Sequence, residues 1–351
     1  NNSAFCCLQW VKPRGSLVCA GAVWHTLPLK ACLNSLQTIK INSVRRLYNF
    51  DDHTDNPEEK NRMTEIHGKV AVVTGGGTGI GYGIAKELAR QGASVAIADI
   101  MVDNARKAVE EIQAAGGTAI ALHCDVCERD SIKQMQEAVK ETFGPANLLF
   151  ANAGATSFDP LMDMSDDDVD WILQVNLMGV MNTTRAFLPD MMAGGGGHII
   201  ATASMAGLLP GWIPVHVVYS AAKMGIIGMM MNLALEMKDY GVNTTIYCPG
   251  GVATAMKERN GQYRPARFGG PQKTGVHVPN ESFKDNPLSF YSPEGIAPIV
   301  LNAVRNNRRF VFDHAEQRQA FRDTYSSVVE ACYDDLDDYE KEFGRPPPVV
   351  S

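Results

Sequence analysis

The chain has 351 residues, of which 45% are hydrophobic and 20% are charged, and its formal net charge is −7 at pH 7. This composition is typical of a folded protein and differs from that of a disordered chain. The excess of acids argues against nucleic acid as a partner, because phosphate binding requires clustered lysine and arginine. No run of 18 apolar residues is present, so the sequence predicts no membrane span.

The first 62 residues differ in composition from the rest of the chain. Residues 1–50 contain lysine and arginine but neither aspartate nor glutamate. An acid-poor, arginine-containing leader is typical of an organelle transit peptide, and the alternative is translated upstream sequence before a true start at Met63. In both cases we predict a disordered leader outside the fold. The expected location is cytoplasmic, or mitochondrial if the transit peptide is genuine.

From residue 63 to about residue 314, short apolar runs alternate with helical patterns. This alternation predicts a single α/β domain of the Rossmann type, a doubly wound parallel sheet with helices on both faces. A C-terminal helical extension and tail follow over residues 315–351. The predicted strands cover residues 70–74, 94–98, 118–123, 147–151, 197–202, 243–248 and 309–312.

A glycine-rich turn follows the first predicted strand and precedes a helical pattern. Such a turn needs glycine where φ is positive and where the backbone approaches a pyrophosphate, and the next helix offers its N-terminal N–H groups to the anion. The spacing differs from the more common G-x-G-x-x-G pattern. The residues that we predict to bind the cofactor here are Gly75, Thr78, Gly79, Ile80 and Gly81.

The second predicted strand ends at Asp99, about 20 residues after the glycine turn, where a carboxylate accepts hydrogen bonds from ribose hydroxyls. A 2′-phosphate would be repelled by Asp99 and would favour a basic neighbour, yet Ile100 follows. The sequence therefore predicts NAD as the cofactor, with NADP less favoured.

Tyr219 immediately precedes a predicted helix over residues 220–237, and Lys223 lies four residues after Tyr219, within that helix. A phenol with a pKa near 10 is a poor base at pH 7 unless its anion is stabilised. Residues i and i+4 share one helix face, so the Lys223 ammonium is expected to lower the pKa of Tyr219. The pair predicts an acid/base group for hydride transfer from a secondary alcohol or to its ketone.

Several short motifs accompany the glycine turn and the tyrosine–lysine pair. They are Asp125-Val126 after the third strand, Asn152-Ala153-Gly154 after the fourth, Asn176 in a helix, Ser204 after the fifth, and Pro249-Gly250-Gly251-Val252-Ala253-Thr254 after the sixth. In this order, from about residue 68 to about residue 254, the chain resembles the short-chain dehydrogenase/reductase family. It departs from the family at Ala151, where a second asparagine is usual, and in a slightly longer segment over residues 204–219.

The resemblance implies a role for each of these residues. Ser204 would hold the substrate oxygen by a hydrogen bond, and Asn176 would anchor a water that relays a proton from Lys223. Tyr219 and Lys223 would contact the cofactor in addition to their catalytic role. The other cofactor contacts would be Asp99, Asp125, Val126, Asn152, Ala153, Gly154, Pro249, Gly250, Val252 and Thr254.

Substrate choice is expected to depend on residues 255–292, which are rich in glycine, proline and charge and have no helical or strand period. Arg264 or Arg267 could hold a substrate carboxylate, although solvated surface charge is favoured. The aromatic and apolar candidates favour a bulky aromatic, terpenoid or steroid-like alcohol. The predicted substrate-binding residues are Ser204, Met205, Trp212, His216 and Tyr219, with Tyr263, Phe268 and Phe290 as further candidates for an apolar wall.

Three further features of the sequence bear on metal binding, helix formation and assembly. Cys124 and Cys127 form a C-x-x-C that no second pair or histidine set completes, so we predict structural cysteines and no metal site. The acidic run that begins at Ser165 is expected to cap a helix. The predicted helix over residues 220–237 is apolar nearly all round, which favours a homodimer or homotetramer.

Three functions remain open on this reading. The first is an NAD-dependent dehydrogenase for a bulky secondary alcohol. The second is an NADPH-dependent reductase of a 3-ketoacyl group on an acidic carrier, which Asp99 disfavours. The third is a non-catalytic dinucleotide-sensing protein, which the complete set of Asn176, Ser204, Tyr219 and Lys223 disfavours.

Overall fold

A seven-stranded parallel sheet organises the chain. The computed structural model describes residues 63–209, 213–272 and 289–347. The predicted leader over residues 1–62, the predicted substrate residue Trp212 and part of the substrate segment lie outside the described residues. The strands are β1 (Val70–Thr74), β2 (Ser94–Asp99), β3 (Thr118–His123), β4 (Leu148–Ala151), β5 (Gly197–Thr202), β6 (Val242–Cys248) and β7 (Phe310–Phe312).

The strand order is β3-β2-β1-β4-β5-β6-β7, and every pairing is parallel. The predicted Rossmann-type fold is therefore confirmed, and the predicted strand boundaries agree to within one residue. The order reverses direction between β1 and β4, and ligands of doubly wound sheets bind at this switch point, beyond the carboxyl ends of the strands.

Helices cover both faces of the sheet. Two π-helical turns, at Gln174–Met178 and Arg322–Ser326, join consecutive helices. Ser165 begins one helix with a capping box that includes Asp168, as predicted from the acidic run. The helices are α1 (Gly79–Arg90), α2 (Val102–Ala114), α3 (Arg129–Phe143), α4 (Asp166–Leu173), α5 (Gly179–Ala193), α6 (Met205–Leu208), α7 (Val217–Glu236), α8 (Met256–Arg259), α9 (Pro293–Arg305), α10 (Gln317–Phe321) and α11 (Ser327–Phe343).

The hydrophobic core has two layers, one on each side of the sheet. On one face α3, α5 and α7 contribute residues such as Met135, Phe187 and Met230. On the other face α1, α2 and α9 contribute residues such as Leu88 and Leu301. Because both faces are covered, the central strands are apolar along their whole length rather than alternating. This double burial fixes the strand ends that carry the site.

The predicted C-terminal helix is present as α10 and α11, and α11 has no buried residue. Within the described ranges, α7 is long and apolar enough to cross a membrane by length and composition alone. This is weak evidence for a span, since core helices of soluble proteins pass the same test.

Candidate active site

A cavity of about 270 Å³ lies at the carboxyl ends of the central strands. Nearly all the residues predicted to bind cofactor or substrate line this cavity. Gly81, Met205 and Asn176 do not. The predicted residues that do line it are Gly75, Thr78, Gly79, Ile80, Asp99, Asp125, Val126, Asn152, Ala153, Gly154, Ser204, His216, Tyr219, Lys223, Pro249, Gly250, Val252 and Thr254, with Tyr263 and Phe290 from the wider set.

The glycine turn between β1 and α1 allows no side chain at its closest approaches. Gly75 and Gly79 have φ values of 61° and 55°, in the region that favours glycine. A methyl group on Gly81 would lie 2.3 Å from the carbonyl oxygen of Gly75. The turn therefore leaves exposed backbone at the start of α1, where N–H groups have no partner within the helix.

Asp99 ends β2 and is 6% exposed. One carboxylate oxygen accepts a hydrogen bond from the Gly77 N–H at 3.0 Å and the other accepts from the Met101 N–H at 2.9 Å. Burial raises the pKa of Asp99, and these two backbone hydrogen bonds act in the opposite direction. The carboxylate is thereby fixed beside the glycine turn, at the edge of the cavity.

Asn152 joins three neighbouring strand ends. Its amide nitrogen donates to the Thr74 carbonyl at 3.2 Å, and its amide oxygen accepts from the Thr202 hydroxyl at 3.0 Å. The backbone N–H groups of Asn152 and Ala153 both donate to the Thr74 hydroxyl. The segment that begins at Asn152 is thus attached to β1 and β5 beneath the cavity.

Tyr219 lies in the first turns of α7, partly buried against Trp171 and Val218. Burial raises its pKa to about 12, although a hydrogen bond with Ser204 acts in the opposite direction. The expectation that Lys223 lowers the pKa of Tyr219 is wrong for this state of the protein. Desolvation of the phenolate dominates, and the hydrogen bond with Ser204 offsets it only in part.

Lys223 is 3% exposed, and its ammonium donates to the carbonyl oxygen of Thr202 at 2.9 Å. Burial lowers its pKa from the usual 10.5 to about 7. The Nζ atom lies 5.5 Å from the centroid of the Tyr219 ring. A lysine with a pKa near 7 exchanges protons readily at physiological pH, which suits a proton-transfer site.

Asn176 occupies the π-helical turn between α4 and α5 and is fully buried. Its amide nitrogen donates to the carbonyl oxygens of Ala155 and Ile172, at 2.8 and 2.9 Å. Its amide oxygen has no partner among the described residues. A methyl group on Gly154 would lie 2.8 Å from this oxygen and 3.4 Å from Lys223 Nζ, so both polar atoms face the same small space.

The turn at Gly250 is held by a buried cluster that the sequence did not reveal. The Gly250 N–H donates to Asp313 at 2.8 Å, and the Tyr247 hydroxyl donates to the other carboxylate oxygen at 2.6 Å. His314 lies 2.5 Å from Asp313 and, through its second ring nitrogen, 3.0 Å from the carbonyl oxygen of Ser289. The end of β7 thus fixes the turn after β6.

His216 immediately precedes α7 and is stacked between two aromatic rings. Its ring centroid is 4.4 Å from that of Tyr219 and 4.2 Å from that of Phe158, with interplanar angles of 9° and 20°. Met205, which was also predicted to contact substrate, is instead buried in the core beside α7. Met205 is the first residue of α6, which Ser204 caps by accepting a hydrogen bond from the Ala206 N–H.

The described part of the substrate segment is more ordered than its composition predicted. It forms α8 and two 3₁₀ turns, Asn260–Tyr263 and Ala266–Phe268. Arg264 is 4% exposed, forms an ion pair with Asp168 and donates to the Phe268 carbonyl, so the preference for solvated surface charge is wrong at this position. Neither arginine is free for a substrate carboxylate, because Arg267 pairs with Asp125 at 3.2 Å and with Glu128 at 2.7 Å.

Further residues that line the cavity were not identified as site residues from the sequence. Thr156 and Phe158 follow the Asn152-Ala153-Gly154 motif at the end of β4, a position from which ligand contacts are expected in a parallel sheet. Trp171 and Val175 reach the cavity from α4 and the π-helical turn. The additional residues are Ile100, Cys124, Ala155, Thr156, Phe158, Trp171, Val175, Thr202, Ala203, Ala206, Ile213, Gly251, Ala255 and Met256.

The two cysteines of the C-x-x-C motif, Cys124 and Cys127, are free thiols. Burial raises the pKa of each to about 12. Thiols in this state are poor nucleophiles and poor metal ligands.

A family model described as short chain dehydrogenase matches residues 69–264. The chain is 30% identical over 275 residues to the C alpha-dehydrogenase of a Sphingobium species, covering 77% of this chain and 88% of that protein. It is similar to the structure of a short chain dehydrogenase/reductase from Burkholderia phymatum in complex with NAD, with a TM-score of 0.68, 26% identity, and 82% and 99% of the two chains covered. It is also similar to a metagenomic short-chain oxidoreductase in complex with NADP, with a TM-score of 0.51, 36% identity, and 54% and 85% covered.

Proposed function

The chain belongs to the short-chain dehydrogenase family, and from that premise we propose that it is an NAD-dependent enzyme that interconverts a bulky secondary alcohol and its ketone. One observation carries the proposal. Tyr219, Ser204 and Lys223 open onto the same cavity as the glycine turn and Asp99. Acid/base groups and a dinucleotide cradle in one cavity are what hydride transfer requires.

The residues present fit a nicotinamide dinucleotide. The glycine turn has backbone where methyl groups would collide, and α1 begins beside it. This arrangement suits a pyrophosphate at a helix N-terminus. Asp99 would hold the adenosine ribose, while Lys223 and the Pro249–Thr254 segment would hold the nicotinamide end. When bound, the cofactor supplies the hydride acceptor or donor.

Asp99 favours NAD over NADP. Its buried carboxylate is fixed by two backbone N–H groups and cannot turn away from a 2′-phosphate. The glycine turn and the two residues after Asp99 contain no lysine or arginine that would offset this repulsion. The similar Burkholderia structure was solved with NAD, in agreement with the proposal, whereas the metagenomic relative was solved with NADP.

Tyr219 is proposed as the group that exchanges a proton with the substrate oxygen. With a pKa of about 12 in the free protein, its hydroxyl is protonated and can donate to a ketone oxygen. In the oxidative direction the tyrosinate must be stabilised, and protonated Lys223, with its Nζ atom 5.5 Å from the centroid of the Tyr219 ring, would supply a positive charge for this. Ser204, which interacts with the Tyr219 hydroxyl, would hold the same substrate oxygen.

Asn176 is proposed to support the exchange of protons between Lys223 and solvent. Its buried amide oxygen and Lys223 Nζ both face the space over Gly154. A water held there by Asn176 would receive hydrogen bonds from Lys223, because a site with several polar partners can hold a buried water. Asn176 would then take no part in proton transfer itself and would act by positioning this water.

The substrate side of the cavity is mostly apolar and aromatic. Phe158, Trp171, Val175 and Tyr263 line it, together with Met256. Such a wall favours a bulky, aromatic or alicyclic alcohol over a small polyol. The relative from Sphingobium carries the name C alpha-dehydrogenase, which agrees with dehydrogenation at a carbon centre.

We also propose that the protein forms a homo-oligomer. Along α7, Met224, Met229, Met231 and Leu233 are only partly buried in the chain. Burying this remaining apolar surface against a second copy would stabilise a dimer or tetramer.

The test combines binding with turnover. The full chain is titrated with NADH and NADPH by fluorescence, and aryl and alicyclic secondary alcohols are then assayed with NAD. We expect preference for NADH, and we expect Tyr219→Phe to keep NADH binding while kcat falls about 1,000-fold. Tyr240→Phe is the matched control, since Tyr240 is 47% exposed and does not line the cavity.

Three results would contradict parts of the proposal. Preference for NADPH would show that the role given to Asp99 is wrong. Full turnover by Tyr219→Phe would remove Tyr219 as the acid/base. Tight NADH binding without turnover of any alcohol or ketone would favour a protein that senses the dinucleotide.

A further inference from the structure

Thr156 and His216 form a polar contact inside the otherwise apolar substrate wall. The Thr156 hydroxyl oxygen lies 3.1 Å from Nε2 of His216. Both side chains are about 5% exposed, and both residues line the cavity. This contact lies close to Tyr219, because the His216 ring stacks on the Tyr219 ring with 4.4 Å between the ring centroids.

The environment of His216 determines which nitrogen carries the proton. Burial lowers the pKa of His216 to about 4, so the ring is neutral and has a single N–H. Its Nδ1 atom is buried and has no partner in the described part of the chain. Buried N–H groups without a partner are rarer than unpaired acceptors. The N–H is therefore on Nε2, and it donates to the hydroxyl oxygen of Thr156.

This tautomer determines what the Thr156 hydroxyl can do. Its oxygen accepts from His216, so its own O–H proton remains available as a donor. Among residues 63–209, 213–272 and 289–347, His216 is its only hydrogen-bond partner. A buried hydroxyl donor that lines a cavity is suited to an acceptor atom of a ligand in that cavity.

Asn260 fixes the backbone of Thr156 from the substrate segment. The Asn260 amide oxygen accepts from the Thr156 N–H at 2.8 Å, and its amide nitrogen donates to the Thr156 carbonyl at 2.7 Å. Asn260 is itself 4% exposed. Thr156 is therefore held at its backbone by the Asn260 side chain and at its hydroxyl by His216.

The backbone before His216 is strained in a way that supports this arrangement. Val215 has a φ of 55°, which a β-branched residue rarely adopts. Strain of this kind persists only where surrounding contacts hold it. The stacking of His216 between Phe158 and Tyr219 supplies such contacts.

We propose that the Thr156 hydroxyl is a specificity-determining hydrogen-bond donor to the substrate, oriented by His216 and Asn260. This inference rests on the proposed function, because the substrate is the alcohol that Tyr219 deprotonates. It defines the substrate class more closely. The preferred alcohol carries, close to its carbinol carbon, a second oxygen that accepts a hydrogen bond, such as an ether, hydroxyl or carbonyl oxygen.

The first test uses pairs of secondary alcohols that differ only in this second oxygen, with a CH₂ group in its place in the other member. We expect the wild-type enzyme to prefer the oxygen-containing member by about 10-fold or more in kcat/KM, since a buried donor left unpaired is costly. Thr156→Val should abolish most of this preference, and Thr156→Ser, which keeps the hydroxyl, should retain it.

Thr184→Val is the matched control, because Thr184 is equally buried and its hydroxyl has no partner among the described residues. It should leave the preference at the wild-type value. A preference that is unchanged in Thr156→Val, or absent from the wild-type enzyme, would overturn the inference.

The second test needs no turnover. Nitrogen-15 NMR of the histidine side chains, assigned with His216→Gln, should show His216 protonated on Nε2 with Nδ1 bare. Protonation on Nδ1 would overturn the inference, since the Thr156 hydroxyl would then donate its proton to Nε2 and would not be available to the substrate. Failure of the proposed function is seen separately, as absence of turnover for both members of every alcohol pair.

Discussion

The two sides of the cavity are built by different means. On the cofactor side, the glycine turn and Asp99 are fixed mainly by backbone groups within 22 residues of each other. On the substrate side, Thr156 is held by Asn260 and Asp168 by Arg264, across 104 and 96 residues. These contacts are made by buried side chains. The glycine turn and Asp99 are thus encoded locally, whereas the substrate side, like the turn at Gly250, depends on contacts between distant segments of the chain.

This difference has a functional consequence. A cradle made of backbone and glycine tolerates few changes, because any side chain collides with the chain itself. A wall made of side chains can be rebuilt by substitution while the sheet remains intact. The cofactor would then be the constant feature of such a site, and the substrate the adjustable one.

The largest effect is expected on the cofactor side, from Gly81→Ala. The new methyl group would lie 2.3 Å from the Gly75 carbonyl oxygen, which is backbone and can move only if the turn changes shape. We expect the Kd for NADH to rise about 1,000-fold, which is about 4 kcal/mol. Fluorescence titration measures it. Gly228→Ala in α7 is the control, since nothing lies within 4 Å of its added methyl group, and normal binding by both variants would refute a backbone-built cradle.

The next effect tests the side-chain wall through two arginines of one segment. Arg264 is buried, contacts Asp168 and Phe268, and lies 5.6 Å from the Trp171 ring, whereas the Arg267 side chain is 35% exposed. Arg264→Met should destabilise residues 256–272 by about 3 kcal/mol, with roughly 100-fold faster amide hydrogen exchange there.

Arg267→Met should change the free energy of local opening of residues 256–272, measured by the same hydrogen exchange, by less than about 1 kcal/mol. Exposed ion pairs contribute little to stability. Equal effects of the two substitutions would mean that burial does not distinguish them. Faster exchange across the whole domain, instead of only in residues 256–272, would mean that this segment does not open independently of the rest of the domain.

The same difference explains what the sequence could predict. The strands, the glycine turn, Asp99 and the placement of Tyr219 and Lys223 follow from local patterns, and the predicted family and fold are confirmed. Met205 was predicted to contact substrate but is buried in the core, because α6 packs against α7. The Asp313–His314 cluster was missed because its partners come from β6 and from Ser289. Long-range contacts of this kind leave no periodic pattern.

The pKa of Tyr219 shows the same limit. Helical spacing correctly places Lys223 one turn away from Tyr219, but it does not reveal that the phenol and the ammonium are both desolvated in the folded protein. Burial raises the pKa of Tyr219 to about 12 and lowers that of Lys223 to about 7. Desolvation depends on the closed environment of the whole site, which no short segment of sequence specifies.

A smaller effect is expected from Lys223→Met, at the junction of the two sides. The unfolded chain keeps the lysine proton up to its usual pKa of 10.5, whereas the folded protein releases it near pH 7. Between pH 7 and pH 10.5 the unfolded state therefore binds more protons than the folded state. Through this group, the free energy of unfolding of the wild-type protein rises as the pH increases from 7 to 10.5, and this gain is lost as the pH falls towards 7.

Methionine fills the site without an amine, so Lys223→Met should be more stable than wild type by about 2 kcal/mol at pH 7, after the lost hydrogen bond to Thr202 is subtracted. The advantage should shrink as pH approaches 10. Chemical denaturation of the cofactor-free protein at several pH values measures the difference. An advantage that is independent of pH would show that the lysine is not desolvated as proposed.

The smallest effect concerns the strained residue beside the substrate wall. At ordinary positions glycine is less stable than alanine by about 0.5–1 kcal/mol, because it loses more conformational freedom on folding. At Val215, with a φ of 55°, alanine keeps the Cβ that causes the strain and glycine removes it. Val215→Gly should therefore be more stable than Val215→Ala by about 1 kcal/mol, the reverse of the usual order.

Denaturant unfolding of both variants measures this difference, and the same pair of substitutions at Val329, inside α11, should give the usual order. If both sites gave the usual order, the conformation that directs His216 onto Tyr219 would store no strain, and this side of the cavity would be held by side-chain contacts alone.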